Sequence, residues 1–391
     1  MRITRAFSLF ACLLLALTGL AFAPRSAAYP PSELPIVAPL SASIQQTEIC
    51  QGEFIPVSTP LNDLGNNEYV RLETGPTGYT GGLYPDGSNV PPPEHAAAGL
   101  VQAAQIVPRA PDGKPDPNGK IVLISVGMSN TASEFGTFEH DARSDSSLNP
   151  HLVIVNGAQG GRVATFWTDP QADAWQFIDD LIAYKGATPV QVQAAWVKLT
   201  NYDLDQFPES TQKLQADLEM VARNLHIRYP NLKIAYFSSR TRAYAYWEGA
   251  NPEPGAFETG FAVKWLIEKQ INGDPGLNYD PSGRDVLAPL LMWGPYLWID
   301  GLNPRSDGLI WTQADLKADC VHPTIDGGRP KVAAQLDSFF RTNPTARTWF
   351  LADASPAATP SPAPTAPPPS PTPFPTYVPW VTFPYHIYLF R

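Results

Sequence analysis

Charge and sulfur are both scarce in this chain of 391 residues. Only 16% of its residues are Asp, Glu, Lys or Arg, and it carries three cysteines, six histidines and four methionines. No His-x-x-x-His or Cys-x-x-Cys spacing occurs, so the usual ligand patterns of a metal site are missing and no metal is expected. No phosphate loop and no dinucleotide fingerprint is present, and no organic cofactor is expected. Beyond residue 23 no run is long and apolar enough to span a bilayer. Basic residues number 27 against 37 acidic ones, a formal charge of −10. Loss of Arg2, Arg5 and Arg25 with a leader would take this to −13. An acidic chain of this kind is a poor partner for nucleic acid or anionic lipid.

What is present begins with an export signal. Arg2 and Arg5 precede an uncharged apolar stretch over residues 7–23, followed by small residues suited to cleavage. Ser26-Ala27-Ala28 is preferred to Ala21-Phe22-Ala23, which would leave Pro24 first. The expected organisation is a signal peptide at 1–28, an N-terminal arm and loop-rich lead-in at 29–119, a main domain at 120–354, a Pro/Ser/Thr-rich linker at 355–376 and an aromatic tail at 377–391. Ten prolines in the 22 positions of the linker preclude a core and favour polyproline II. A stalk with an aromatic end is expected to hold the protein at a cell surface or dock it; a strand folded back onto the domain is the alternative. The protein is expected to be secreted or surface-held, with no membrane span in the mature chain.

From residue 120 apolar runs alternate with helical patterns. Strands are expected at 121–126, 152–155, 192–199, 232–237 and 290–293, each a run buried on both faces. Helices are expected at 94–107, from Pro208-Glu209-Ser210 to just before Pro230, and at 329–341. This alternation predicts an α/β fold, a three-layer α/β/α sandwich around a mainly parallel, flavodoxin-like five-stranded sheet. Ligands bind such sheets beyond the carboxyl ends of the strands. Ser129, Gly160-Gly161 and Asn201 follow the first three strands and fall on that rim.

The rim residues carry a chemistry. A serine hydroxyl is a weak nucleophile unless a neutral imidazole takes its proton and a carboxylate orients the ring. Ser129 in Gly127-Met128-Ser129-Asn130 is the candidate nucleophile. Asp319-Cys320-Val321-His322 supplies the candidate base, His322, and its orienter, Asp319. Cys50 and Cys320 either form a disulfide, which would tie the lead-in to that loop, or stand as independent buried thiols.

These segments resemble the SGNH (GDSL-like) hydrolase superfamily. Gly160-Gly161-Arg162 and Trp167 make its sialate O-acetylesterase and acetylxylan esterase members the nearest. The resemblance covers about residues 120–343. It implies that Ser129 is the nucleophile, His322 the base and Asp319 its orienter, and that the amides of Ser129 and Gly161 stabilise the oxyanion. The third family donor is an asparagine in Gly-x-Asn-Asp, or a Gln-Gly-Glu after tryptophan. Here the stretch reads Trp196-Val197-Lys198-Leu199-Thr200-Asn201. Asn201 is the candidate donor; Lys198, at the position of the family glutamine, is a second group able to stabilise an anion, and Asn130 is a further candidate.

Other residues admit blander readings. Glu139-His140-Asp141 is expected to be a solvated or rim segment. Trp247, Trp293, Trp298 and Trp311 are expected in the core in preference to a sugar platform. Arg240 and Arg242 either face the pocket mouth, where they would meet an acidic substrate, or form a surface pair. The expected activity is hydrolysis of a small-molecule or glycan ester, a carbohydrate O-acetyl ester by analogy. The alternative is a binding module on the same fold that does not turn over.

Overall fold

The computed structural model describes residues 49–204, 206–246 and 251–353. The export signal, the arm up to residue 48, Trp247, the Pro-rich linker and the aromatic tail lie outside the described residues.

Five apolar runs become the strands of one parallel sheet: β3 (Ile121–Gly127), β4 (Leu152–Val155), β5 (Val192–Lys198), β6 (Ile234–Phe237) and β7 (Leu290–Trp293). Their spatial order is β4-β3-β5-β6-β7, the flavodoxin-like order expected. Neighbours are parallel throughout, with Ile124 opposite Val155, Gly127 opposite Lys198, Trp196 opposite Tyr236 and Tyr236 opposite Met292. Every residue of β3, β5, β6 and β7 is buried, because helices cover both faces.

Alternation along the strands divides the core in two. Val122, Ile124, Val126, Val197 and Phe237 face a layer made by α4 (Asp173–Tyr184), α5 (Glu209–Arg228) and α6 (Gly255–Ile271). Leu123, Trp196, Tyr236 and Met292 face α3 (Ser129–Ala142), α7 (Gly328–Thr342) and the short α8 (Arg347–Phe350). Helix α3 is rich in Ser, Asn, Thr and Gly and has little intrinsic helix propensity. Phe135 and Phe138 hold it down by packing on Trp196 and Phe340, each contributing about 1.5–3 kcal/mol by burial.

The lead-in supplies α1 (Leu61–Leu64), the hairpin β1 (Glu68–Arg71) and β2 (Gly75–Thr80), and α2 (Pro93–Ala104). It joins the same cores. Tyr69 packs among Phe207, Phe257 and Phe261, and His95 bonds the carbonyl of Leu291 on β7. Strand β5 ends at Lys198 and β6 starts at Ile234, one and two residues inside the expected bounds.

One buried charge marks this junction. Glu258 on α6 accepts from Tyr69 Oη at 2.9 Å and Arg71 Nε at 2.8 Å. Burial raises its carboxyl to about 7 from an ordinary 4.5, against the opposing pull of Arg71 and Tyr69. Between those values the folded chain binds the extra proton, so this group's contribution to stability falls as pH rises from 4.5 through about 7 and is flat above. Urea midpoints measured across that window should show this slope in the wild type and lose it in Glu258→Gln.

Candidate active site

Strand β3 runs apolar to Gly127, and α3 begins two residues later at Ser129. The turn needs glycine: a Cβ on Gly127 would lie 2.4 Å from Thr131 Cγ2 and Oγ1. Thr131 Oγ1 donates to the Lys198 carbonyl at 2.8 Å, which pins the first turn of α3 to β5. The leading amides of a helix lack intrahelical acceptors, and the helix dipole favours negative charge at that end. The half-buried Ser129 hydroxyl therefore stands where an anion is stabilised.

The partner loop is built around one carboxylate. Asp319 Oδ1 accepts the backbone amides of Val321 at 3.0 Å and His322 at 2.9 Å. Its Oδ2 lies 2.6 Å from His322 Nδ1. An ionised carboxylate only accepts, so the proton sits on Nδ1 and leaves Nε2 as an acceptor. Nε2 lies 2.7 Å from Ser129 Oγ. Burial opposes the charge on Asp319, but the amides of His322 and Val321 and the imidazole outweigh it and hold the carboxyl below its ordinary value. The side chains of His322 and Asp319 keep 34% and 50% exposure, so the pair contributes orientation more than stability.

Two further ties seat this loop. Asn130 Nδ2 donates to the Val321 carbonyl at 2.9 Å, joining the residue after Ser129 to the residue before His322. Cys320, at φ +59°, is disulfide-bonded to Cys50, and its carbonyl accepts from the Tyr244 amide at 3.0 Å. The sequence left the two cysteines open between bridge and free thiols; they are bridged. Asn130 is almost wholly buried and acts on the loop, in contrast to the substrate-facing role expected of it.

The glycine turn lies against the serine. A Cβ on Gly160 would stand 3.9 Å from Ser129 Cβ, and Gly161 adopts φ +75° in an exposed position. Gln159 N bonds the Gly127 carbonyl at 2.9 Å, sewing the turn to the end of β3. Below it, Asn156 accepts from Ser125 Oγ at 2.9 Å and donates to the Ala132 carbonyl at 2.7 Å. Asn156 and Gln159 thus brace the rim, and the sequence marked that stretch only as a strand end. Asn201 sits at the exit of β5 with one amide hydrogen committed to Asp217 at 2.6 Å and its oxygen accepting from Thr165 N at 3.3 Å. A single N–H of that amide remains for another acceptor.

Several expectations are corrected by burial. Lys198 is not an anion ligand at the rim: it is fully buried on the α3 side of the sheet, and its Nζ pairs with Glu134. Alternation along β5 turns residue 198 to that face. Arg240 and Arg242 are neither at a pocket mouth nor on the surface, with 2% and 1% exposure. Arg242 is bonded to Asp300 and lies 5.4 to 5.7 Å from the rings of Phe54, Tyr244, Tyr246 and Trp298, anchoring the lead-in. Glu139 leaves the solvated segment expected of it, buried and paired with Lys185 and Arg143, while His140 and Asp141 are exposed. Trp293, Trp298 and Trp311 are in the core, as expected.

The Cys50–Cys320 bridge closes a loop of 270 residues onto the His322 segment. The double variant Cys50→Ser/Cys320→Ser should lose about 2–5 kcal/mol of unfolding free energy, read from urea titration.

No protein-family model and no curated protein matches the chain in sequence. Among solved structures, the chain is similar to a protein assigned as an SGNH hydrolase from Slackia heliotrinireducens, at 12% identity and TM-score 0.31, over 56% of this chain and 99% of that one. It is also similar to a family two carbohydrate esterase from Clostridium thermocellum in complex with cellohexaose, at 12% identity and TM-score 0.34, over 56% of this chain and 63% of that one. A third is an extracellular lipase from Streptomyces rimosus, at 11% identity and TM-score 0.27, over 56% and 99%. These likenesses are remote, and the α/β fold assignment stands on the strand order and register of the sheet.

Proposed function

We propose that the protein is an exported serine ester hydrolase of the SGNH type, acting on an O-acetyl ester of a carbohydrate. The reading is carried by one observation: the hydrogen-bonded series Ser129 Oγ, His322 Nε2, His322 Nδ1 and Asp319 Oδ2, at 2.7 and 2.6 Å, on the carboxyl rim of a parallel sheet. Each link has the polarity that nucleophile activation needs. Export is supported by the N-terminal charge and hydropathy pattern and by the disulfide. Among the described residues no helix is long and apolar enough to cross a membrane.

In this mechanism Ser129 Oγ attacks the ester carbonyl while His322 Nε2 takes its proton. Asp319 stabilises the imidazolium that forms. The negative charge on the former carbonyl oxygen is met by the amides of Ser129 and Gly161 and by the uncommitted N–H of Asn201, a donor of this kind being worth roughly 3–4 kcal/mol of barrier. His322 returns its proton to the leaving alcohol, and the acyl group stays on Ser129. Water then adds, again deprotonated by His322, and the acid departs as Ser129 is regenerated. The carbohydrate acetyl ester comes from the motif resemblance and from export. The competing reading, a surface-displayed carbohydrate-binding module that does not turn over, rests on the Lys198 segment and on the stalk-like tail; the Lys198 side chain is fully buried in an ion pair with Glu134, and the tail lies outside the described residues.

The test is fluorophosphonate labelling of the purified protein, with release of acetate from acetylated xylan and acetylated sialic acid as the substrate screen. Wild type should label, and Ser129→Ala and His322→Ala should not. A folded wild type that does not label ends the esterase reading. Asp319→Asn should keep the fold and lower kcat on p-nitrophenyl acetate by about 10²–10⁴-fold, because an amide cannot enforce the Nδ1–H tautomer.

A further inference from the structure

Three charged side chains are buried in the elements that carry the site, on α3, at the end of β5 and at the exit of β6. Glu134 is five residues after Ser129 on α3 and has no exposed surface. Lys198, the last residue of β5, donates from Nζ to Glu134 Oε2. Arg240 follows the exit of β6; its Nε and Nη1 are buried and have no hydrogen-bond partner among the described residues, as is also true of Glu134 Oε1. The charges act on one another: Glu134 supports the cationic form of Arg240, and Arg240 opposes that of Lys198. Burial is the larger cause for Lys198, whose ammonium is brought down to about 8.

Such a cluster is a poor device for stability alone. Well-packed apolar residues in place of a buried ion pair are often neutral or stabilising. What an ion pair adds is direction and register. Each member comes from a different element of the site: Glu134 from the helix that starts with Ser129, Lys198 from the strand whose exit carries Asn201, and Arg240 from the exit of the next strand. The backbone repeats the link, through Thr131 Oγ1 on the Lys198 carbonyl and through the Gly127–Lys198 pairing of β3 with β5.

We propose that Glu134 is a positioning residue for the nucleophile: paired with Lys198, it sets the rotation of α3 on the sheet and so the direction in which Ser129 Oγ points at His322 Nε2. The inference rests on the serine-hydrolase reading. Phe135 and Phe138 supply the attraction that holds α3 down, but an aromatic contact tolerates rotation, and a paired carboxylate against a fixed ammonium tolerates much less. A displacement of about 1 Å at a reacting atom costs on the order of 10²-fold in rate.

The experiment compares wild type with Lys198→Met, Lys198→Arg and Glu134→Gln. It reads kcat and KM on p-nitrophenyl acetate, the second-order rate of fluorophosphonate labelling, and far-UV circular dichroism with Tm. Lys198→Met and Glu134→Gln each leave one member of the buried pair in place, and circular dichroism with Tm reports whether the fold tolerates it. Lys198→Met and Glu134→Gln should lose about 10–100-fold in kcat and in labelling rate, with KM within twofold and labelling stoichiometry near that of wild type. Lys198→Arg, which keeps the cation, should recover most of the loss. Folded variants that label and turn over within twofold of wild type overturn the proposal while leaving the esterase reading intact. Loss of folding in both Lys198→Met and Glu134→Gln overturns it too, by assigning the cluster to stability. A wild type that does not label removes the reading beneath it, a result separate from either.

Discussion

The carboxylate of Asp319 carries two duties at once, and the rest of the site depends on its holding both. One oxygen gathers the amides of Val321 and His322 and so folds the loop; the other accepts the hydrogen bond of the imidazole Nδ1–H and fixes the ring. Backbone amides bonded to a charged acceptor select one loop geometry, and at this exposure they direct the chain more than they stabilise it. Because the same residue shapes the backbone and orients the side chain, the ring cannot drift while the loop stays folded. His322 reaches Ser129 as part of a short unit held by its own loop.

That unit and the nucleophile are held by different means. Ser129 is placed by the sheet: a seven-residue buried strand, a glycine that a methyl group would break, and a helix packed through two phenylalanines. His322 lies on a loop and is placed by cross-links: the Asn130 amide, the Tyr244 amide and the bridge to Cys50. Positioning by burial is strong but undirected, and positioning by hydrogen bonds is directed but weak singly. The site combines the two, with the buried charges of Glu134, Lys198 and Arg240 at the place where they meet.

Much of this was legible in the sequence because it is local. Continuous apolar runs named the five strands, and their alternation with helical patterns named the sheet. Ser129 stood out by its place at a strand exit, and Asp319 and His322 by lying three residues apart. Helix α3 was not legible, since its composition disfavours a helix and what holds it are contacts with distant segments, made by Thr131, Glu134, Phe135 and Phe138. Helix α6 escaped because it is apolar on nearly every side and lacks a clean periodicity. The side chains misread as rim groups share one cause. Lys198, Arg240 and Arg242 were judged by charge; Lys198 is buried against Glu134, 64 residues away, and Arg242 against Asp300, 58 residues away, and the nearer Glu253.

The bridge between Cys50 and Cys320 gives the molecule an order of assembly. Ser129 follows the first strand of the main sheet, whereas His322 comes 193 residues later. The anchor for the late loop is stored near the start of the described chain and waits for its partner. A ribosome that has released the first two hundred residues has made Ser129 without its partner. The contact between Ser129 and His322 therefore belongs to the closed chain, drawn together from segments that are synthesised far apart in time.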